Sequence, residues 1–207
     1  MIRSALITVS VVALGLIGAR TANLESSTVP QTRRSIAKPE DGSRLYLSAI
    51  ASAAENERRA TLSPVRSLLN VKHRMYYGDY VWNDKNVRSG PVWIRVDLRS
   101  QLLSVFRDGQ EIGTAVILYG ATQKETPTGV FPILAKMSKH RSSSYDADMP
   151  YTLRLTDDGV SIHASDVRWG HATHGCIGVP LGFAQKMFDQ VARGDKVLIV
   201  AGQPAAS

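Results

Sequence analysis

The second half of the chain alternates short apolar runs with turn residues, a pattern that predicts β-strands. Asp108-Gly109 separates two of these runs and Asp157-Asp158-Gly159 separates two others, so each pair is expected to form a hairpin. Pro132 lies inside another run and has no backbone N–H to donate, which favours an edge position for that strand. The predicted strands are residues 92–96, 102–106, 112–118, 130–134, 151–155, 160–163 and 196–200.

Apolar residues recur at helical spacing in two further segments. Residues 181–193 form the first, which ends before Gly194, a residue that commonly follows a helix. The second lies in residues 45–90, where Pro64 would split or begin a helix. We interpret this second segment as a short helical hairpin that packs on the main domain or leads into it.

These elements together predict the fold class. Strands dominate and one long helix lies near the end of the chain, so the fold is expected to be mainly β, a sandwich or barrel. One helix near the C-terminus and a short helical N-terminal extension complete it. A doubly wound parallel sheet would need helices alternating with the strands and is not expected.

The N-terminus has the pattern of an export signal. Arg3 precedes an uncharged and mostly apolar run over residues 5–19, which is shorter than the roughly 20 residues needed to span a bilayer. We expect residues 1–22 to be a signal peptide, cleaved or retained as an anchor, and the protein to reach the periplasm or cell wall. Residues 23–44, rich in Ser, Thr, Pro, Lys and Arg, are predicted to be a flexible linker.

The charge of the chain is concentrated in its first part. The 207 residues contain 25 Lys and Arg against 18 Asp and Glu, a net charge of +7. Residues 1–90 hold 13 of the basic and 7 of the acidic side chains, so residues 91–207 are nearly neutral. The folded half therefore lacks the basic surface that nucleic-acid binding requires. The basic N-terminal part either associates with anionic lipids or wall polymers or is a solvated linker, and both interpretations stay open.

Candidate chemistry is concentrated between residues 162 and 180. Cys176 is the only cysteine, so the chain cannot form an internal disulfide. Three of the five histidines also lie in this segment. A thiol near an imidazole can act as a nucleophile with the imidazole as its base, which makes Cys176 and His163 a candidate pair. The backbone N–H groups of His174, Gly175 and Cys176 could stabilise an oxyanion, and the carbonyl of Ala164 could orient the imidazole.

Other interpretations of the same residues exist. A single cysteine is often a small buried apolar side chain. Zinc could bind His163, His171, His174 and Cys176, but their spacing matches no common zinc motif, so neither a metal nor a cofactor is expected. His73 and His140 are expected to be ordinary histidines, either on the surface or with satisfied hydrogen bonds.

Four motifs in order resemble the L,D-transpeptidase catalytic domain of bacterial cell-wall enzymes. The chain has Thr173-His174-Gly175-Cys176 with Ile162-His163 upstream, the Thr126-Pro127-Thr128-Gly129 segment, and Met149-Pro150-Tyr151 before the histidine. The resemblance covers residues 91–200 and suggests that 91–207 is the catalytic domain.

The resemblance implies an enzyme that remodels peptidoglycan. Cys176 would attack the carbonyl between the third residue and the terminal D-Ala of a tetrapeptide stem, release D-Ala and form an acyl-enzyme. The side-chain amine of a second stem would then accept the acyl group in a 3–3 cross-link, with His163 as general base and then general acid. Donor and acceptor stem peptides are thus the implied partners.

One position departs from the family pattern. Members often have Asn or Arg two positions after the cysteine, where this chain has Gly178. Arg154 or Arg168 could supply the missing polar contact. Tyr145, Tyr151, Trp169 and His171 are further candidates for substrate binding, although aromatic residues beside a β-rich core more often contribute to packing.

The same catalytic residues are compatible with other outcomes. Water as acceptor would make the protein an L,D-carboxypeptidase, and a protein amine would make it an enzyme that links proteins to peptidoglycan. A module that binds peptidoglycan without catalysis is an alternative from a different class, although the intact pair of His163 and Cys176 argues against it.

Overall fold

The computed structural model describes residues 42–59, 61–120, 124–142 and 146–201. The predicted signal peptide, the predicted linker up to residue 41, and Tyr145 lie outside these ranges. The two helices are α1 (Ala49–Arg59) and α2 (Leu181–Gln190). The strands are β1 (Arg44–Tyr46), β2 (Ser67–Leu69), β3 (Tyr80–Trp82), β4 (Val92–Asp97), β5 (Leu102–Arg107), β6 (Gln110–Val116), β7 (Gly129–Pro132), β8 (Ala135–Met137), β9 (Thr152–Arg154), β10 (Ser161–Ala164), β11 (Ile177–Val179) and β12 (Lys196–Val200).

The strands form two sheets. The larger has the order β1-β2-β6-β5-β4-β12-β7, with β3 also paired to β6, and the smaller has the order β11-β10-β9-β8. The main core combines apolar side chains of both sheets with those of α2, including Ile94, Leu103, Ile162, Ile177 and Phe183. This mainly β architecture with one helix near the C-terminus confirms the predicted fold class.

The locally paired strands were predictable. The hairpin of β5 and β6 turns at Asp108-Gly109, where both residues have positive φ, and β9 and β10 pair antiparallel across the second predicted turn. Strand β7 lies at the edge of the larger sheet, as Pro132 indicated. Helix α2 ends at Gln190, three residues before the predicted end, and the ammonium of Lys136 donates to the carbonyls of Phe188 and Val191 there.

The N-terminal extension differs from its prediction. Helix α1 is present, but the second expected helix is wrong: β2 pairs antiparallel with β1 and parallel with β6. Val65, Ser67 and Leu69 are buried while Arg66 is exposed, an alternation of period two that fits a strand. The last residues of the predicted linker are also ordered, because Gly42 donates to the Asn70 carbonyl and Arg44 belongs to β1.

Candidate active site

Strand pairing in the smaller sheet brings the two predicted catalytic residues to one cavity. His163 lies on β10, which runs parallel to β11 with His163 opposite Gly178. Cys176 comes directly before β11. Both side chains line a cavity of about 330 Å³. The other residues lining it are Lys124, His140, Ser142, Ala147, Met149, Asp158, Gly159, Val160, Thr173 and His174.

The loop that carries Cys176 is held from behind by buried contacts. Gly175 has a φ of +93°, a conformation that favours glycine. The Thr126 hydroxyl donates to the Gly175 carbonyl at 3.0 Å and accepts from the Gly120 N–H at 3.0 Å. Because the N–H and C=O of a trans peptide point in opposite directions, this bond turns the Cys176 N–H away from Thr126.

Gly120 and Thr173 fix the same loop. A Cβ on Gly120 would lie 2.4 Å from the Gly175 nitrogen, so the two backbones pack without room for a side chain. The Thr173 hydroxyl donates to the Cys176 carbonyl, and the Thr173 N–H donates to the Tyr119 carbonyl at 3.2 Å. The position of the thiol is therefore set by hydrogen bonds to the backbone carbonyls of Gly175 and Cys176 and by the close packing of Gly120.

The imidazole of His163 is held in one tautomer. Its Nδ1 lies 2.9 Å from the Ala164 carbonyl oxygen, which can only accept, so Nδ1 carries the proton and Nε2 has the lone pair. Burial lowers the pKa of His163, and nearby His140 lowers it further, against an opposing effect of the Ala164 carbonyl. A neutral imidazole with an unprotonated Nε2 is the state a general base requires.

The thiol of Cys176 is protonated at rest. Burial raises its pKa and the Asp158 carboxylate adds to this, while the backbone of Ser161 and the charge of Lys124 act in the opposite direction. Its Sγ lies 3.7 Å from the Gly159 carbonyl oxygen, an acceptor for the S–H. A protonated thiol is a poor nucleophile, so the arrangement needs a base at the moment of attack.

Opposite charges flank the mouth of the cavity. The Lys124 ammonium lies 2.9 Å from the Asp158 carboxylate, and both side chains are exposed. Hydrogen bonds from Thr156 and then Lys124 lower the pKa of Asp158, so this carboxylate is charged near neutral pH. Sequence reasoning missed both residues, because a single Lys and a single Asp in turns carry no distinctive pattern.

His140 and Thr126 were also missed. His140 was expected to be an ordinary histidine, but it lines the cavity. Thr126 belongs to the segment that carried the family resemblance, yet its partner Gly175 lies 49 residues away in sequence, so only the folded chain reveals the contact.

The structure places the described candidates for substrate binding outside the cavity lining. Tyr151 packs against the main core with its ring 5.6 Å from that of Phe188. Arg154 lies within the smaller sheet, opposite Ala135 and Ser161. The sequence pattern could not distinguish these packing positions from positions in the cavity.

The candidates in the loop after β10 are also outside it. Arg168 is exposed and its Nε donates to Asp166 at 2.7 Å. Trp169 is 81% exposed and its ring contacts that of Tyr77. His171 is exposed, with its backbone N–H donating to the Arg168 carbonyl at 3.4 Å.

Packing explains the glycine at position 178. A Cβ there would lie 2.8 Å from the Ser165 Cβ, closer than packed carbon atoms allow. The backbone of Gly178 also exchanges two hydrogen bonds of 2.9 Å with Leu118. A larger polar side chain of the kind common in the family cannot fit while Ser165 keeps this position.

Neither helix in the described part of the chain is long and apolar enough to cross a membrane. Within 42–59, 61–120, 124–142 and 146–201, no three His, Cys, Asp or Glu side chains gather as a metal site requires.

A mainly β domain with a cysteine and a histidine at one cavity defines the class, and comparison with known proteins gives the family. The family model of the L,D-transpeptidase catalytic domain matches residues 91–199. The chain therefore belongs to the L,D-transpeptidase family, a family of catalytic domains that act on peptidoglycan stem peptides.

Solved structures show the same fold. An L,D-transpeptidase from Stackebrandtia nassauensis superposes with a TM-score of 0.50 at 23% identity, over 60% of this chain and 63% of that one. An L,D-transpeptidase from Mycobacterium smegmatis superposes with a TM-score of 0.51 at 20% identity, over 64% and 72% respectively. This chain thus spans less than two thirds of the Stackebrandtia protein. No curated protein matches the sequence.

Proposed function

We propose that this protein is an L,D-transpeptidase that works through an acyl-enzyme on Cys176. The observation that carries the proposal is that Cys176 and His163 line one cavity, with the Nε2 lone pair of His163 set by the Ala164 carbonyl. The donor is a peptidoglycan tetrapeptide stem, and the bond broken joins its third residue to the terminal D-Ala.

The acylation step uses neutral reactants. As Sγ bonds to the scissile carbonyl carbon, the S–H proton passes to Nε2 of His163, and the carbonyl electron pair moves to oxygen. The N–H groups of His174, Gly175 and Cys176 stabilise that oxyanion. The C–N bond then breaks, the imidazolium gives its proton to the departing amine, and D-Ala leaves.

The acceptor step reverses the proton movements. The side-chain amine of the third residue of another stem attacks the thioester and gives a proton to His163. Collapse of the second tetrahedral intermediate releases the Cys176 thiolate, which takes that proton back, and leaves a 3–3 cross-link. Water in place of the amine gives a tripeptide, the carboxypeptidase outcome, and an amine of a protein gives a linkage of that protein to the wall.

The charges at the mouth of the cavity support a substrate of mixed charge. Lys124 and Asp158 present an ammonium and a carboxylate side by side. A stem peptide with a free carboxylate at its end and an amine on its third residue carries both signs of charge. We infer that these two side chains orient the stem at the cavity.

Product analysis tests this function. The purified full-length chain is incubated with disaccharide-tetrapeptide, alongside its Cys176→Ala variant, and the products are separated and identified by mass spectrometry. Released D-Ala together with 3–3 dimers, both absent with Cys176→Ala, is expected. Tripeptide without dimers would replace the transpeptidase with a carboxypeptidase, and no product from the wild type would favour a binding module.

We also propose that the protein works outside the cytoplasm. The proposal rests on the signal-like residues 1–22 and on the location of peptidoglycan. Fractionation of cells that express the full chain, with N-terminal sequencing of the recovered protein, tests it. A mature chain starting near residue 23 in the exported fraction is expected, and an intact chain confined to the cytoplasm would contradict it.

A further inference from the structure

A second and larger cleft lies apart from the cysteine cavity. Its volume is about 760 Å³, against about 330 Å³ for the cavity that contains Cys176 and His163. Residues 68–77 form one side, and strands β5 and β6 with the turn before β5 form the other. Trp169, from the loop after β10, completes the lining. Neither Cys176 nor His163 belongs to it.

The cleft has exposed aromatic rings along its lining. Trp169 is 81% exposed and Tyr76 is 64% exposed, unusually high for side chains of this size. The ring of Tyr77 meets that of Trp169 edge-on, with centroids 5.7 Å apart at 66°. Exposed aromatic side chains that support one another in this way are typical of recognition surfaces.

The interior of the cleft is polar and ordered. Ser104, Glu111 and Thr114 line it and are buried. The Ser104 hydroxyl donates to one Glu111 carboxylate oxygen at 2.6 Å, and the Leu69 N–H donates to the other at 2.8 Å. These bonds fix the direction of the polar groups before any ligand arrives.

Gln101 connects the aromatic and polar parts of the cleft. The Tyr77 hydroxyl donates to its side-chain oxygen at 2.9 Å, which leaves the amide nitrogen as the donor group of that side chain. Gln101 has a φ of +54°, a conformation that costs energy for residues other than glycine. This conformation belongs to the turn between β4 and β5.

We propose that this cleft binds a carbohydrate chain. A pyranose has an apolar face of C–H groups, which suits an exposed indole or phenol ring, and a rim of hydroxyls, which suits hydroxyl, carboxylate and amide partners. The cleft offers both kinds of surface.

The loop between the two sites gives the cleft its place in the reaction. Residues 165–175 contribute Trp169 to the cleft, and Thr173 and His174 to the cysteine cavity. A glycan held against Trp169 therefore contacts the same loop that leads to the nucleophile. The identification of this sugar as the glycan of peptidoglycan rests on the proposed function. Carbohydrate binding by the cleft is independent of that function.

Binding to a sugar without a peptide tests the cleft directly. The full-length Cys176→Ala variant is titrated with the N-acetylglucosamine pentasaccharide by isothermal calorimetry. Saturable binding is expected, weakened about tenfold or more by Trp169→Ala. Leu181→Ala, which removes an exposed apolar side chain outside the cleft, serves as the matched control and should leave the affinity unchanged.

Three results would overturn the proposal. They are no saturable binding at millimolar sugar, equal affinity in the Trp169→Ala variant, and displacement of the sugar by a sugar-free tetrapeptide, which would assign the cleft to the peptide. If the sugar binds as expected but the wild-type chain has no activity on stem peptides, the proposed function fails and the cleft proposal stands.

Kinetics separate a substrate site from an indirect effect on the cysteine loop. With Cys176 intact, Trp169→Ala should raise KM about tenfold on glycan-linked stems and leave kcat/KM on a sugar-free tetrapeptide unchanged. Equal losses on both substrates would mean that Trp169 acts by holding the loop, and would contradict a role in binding glycan.

Discussion

At the scale of single residues, the proposed catalytic pair rests in its uncharged form. Burial raises the pKa of the Cys176 thiol and lowers the pKa of the His163 imidazole, so a proton stays on sulfur until substrate arrives. The Ala164 carbonyl keeps Nε2 as the acceptor for that proton. Attack and proton transfer are then expected to occur together, with no thiolate waiting in the free enzyme.

The pH dependence of activity follows from the histidine. Catalysis needs neutral His163, and because its pKa is lowered, protonation removes the base only at a pH below its ordinary value of about 6.5. The acidic limb of kcat/KM should therefore lie below about 6.5, with full activity above it. An acidic limb above that value would contradict a base whose pKa is lowered.

Thr126 is predicted to act by positioning the cysteine loop. Thr126→Val keeps the shape of the side chain but leaves the buried Gly120 N–H and Gly175 carbonyl without their hydroxyl partner. We expect a loss of about 1–3 kcal/mol in the free energy of unfolding, measured in urea. We also expect a fall of about tenfold or more in kcat at saturating substrate.

A second threonine in the same segment gives the control for Thr126. Thr128 is exposed in the same segment, so Thr128→Val should change neither quantity. If Thr126→Val loses stability but keeps its kcat, the threonine supports the fold and has no positioning role in catalysis.

Cys176 and His163, which line one cavity, could be proposed from the sequence because their chemistry depends on residue type and on nearby spacing. The supports of the site could not. Thr126, Gly120 and Lys124 reach the cysteine loop from another part of the chain, and nothing in their own neighbourhood indicates that contact. The described candidates for substrate binding lie outside the cavity lining for the related reason that an aromatic or basic side chain reveals its surroundings only after folding.

At the scale of elements, the sequence predicts pairing between strands that are adjacent in the chain better than pairing between distant strands. The hairpin of β5 and β6 was predictable, since its turn and alternating strands are adjacent in the chain. Strands β2, β8 and β11 have three residues each, too few for a periodic signal. Two of them, β2 and β11, also pair in parallel with strands distant in sequence.

Close packing between β11 and the loop after β10 can be tested at Gly178. Gly178→Ala places a Cβ 2.8 Å from the Ser165 Cβ and should lower the free energy of unfolding by about 1–3 kcal/mol. Ser165→Gly removes the Ser165 side chain and should make room for the new methyl group, because the next contact, with the Leu118 Cβ, is an ordinary 3.5 Å. The double variant Ser165→Gly/Gly178→Ala is therefore expected to be more stable than the sum of the single changes predicts. Additive losses in denaturant titrations would refute this account of Gly178.

At the scale of the whole molecule, the segment before residue 91 completes the larger sheet. Strands β2 and β3 both pair with β6, and Trp82 of β3 packs edge-on against Phe183 of α2 with ring centroids 5.5 Å apart. Val65 joins the stacked rings of Trp93 and Phe106 in a second, smaller core. The sequence predicted a helical extension here, and the structure has one helix, α1, together with three strands of the larger sheet.

Shortening the chain tests that integration. Residues 91–207 alone would expose β6 and the small core, so we expect no cooperative thermal unfolding and a weak near-ultraviolet circular dichroism spectrum. The chain shortened to residues 42–207 retains every described strand and should unfold cooperatively. A cooperative transition of residues 91–207 at the temperature of the longer chain would show that the first three strands are dispensable.

Intact-protein mass spectrometry can show whether Cys176 carries the acyl group. The full-length chain is mixed with disaccharide-tetrapeptide, quenched in acid and measured, and the modified peptide is then mapped. We predict an added mass equal to the donor minus D-Ala, located on Cys176, absent in Cys176→Ala and strongly reduced in His163→Ala. An adduct on another residue, or D-Ala release that persists in Cys176→Ala, would contradict the mechanism.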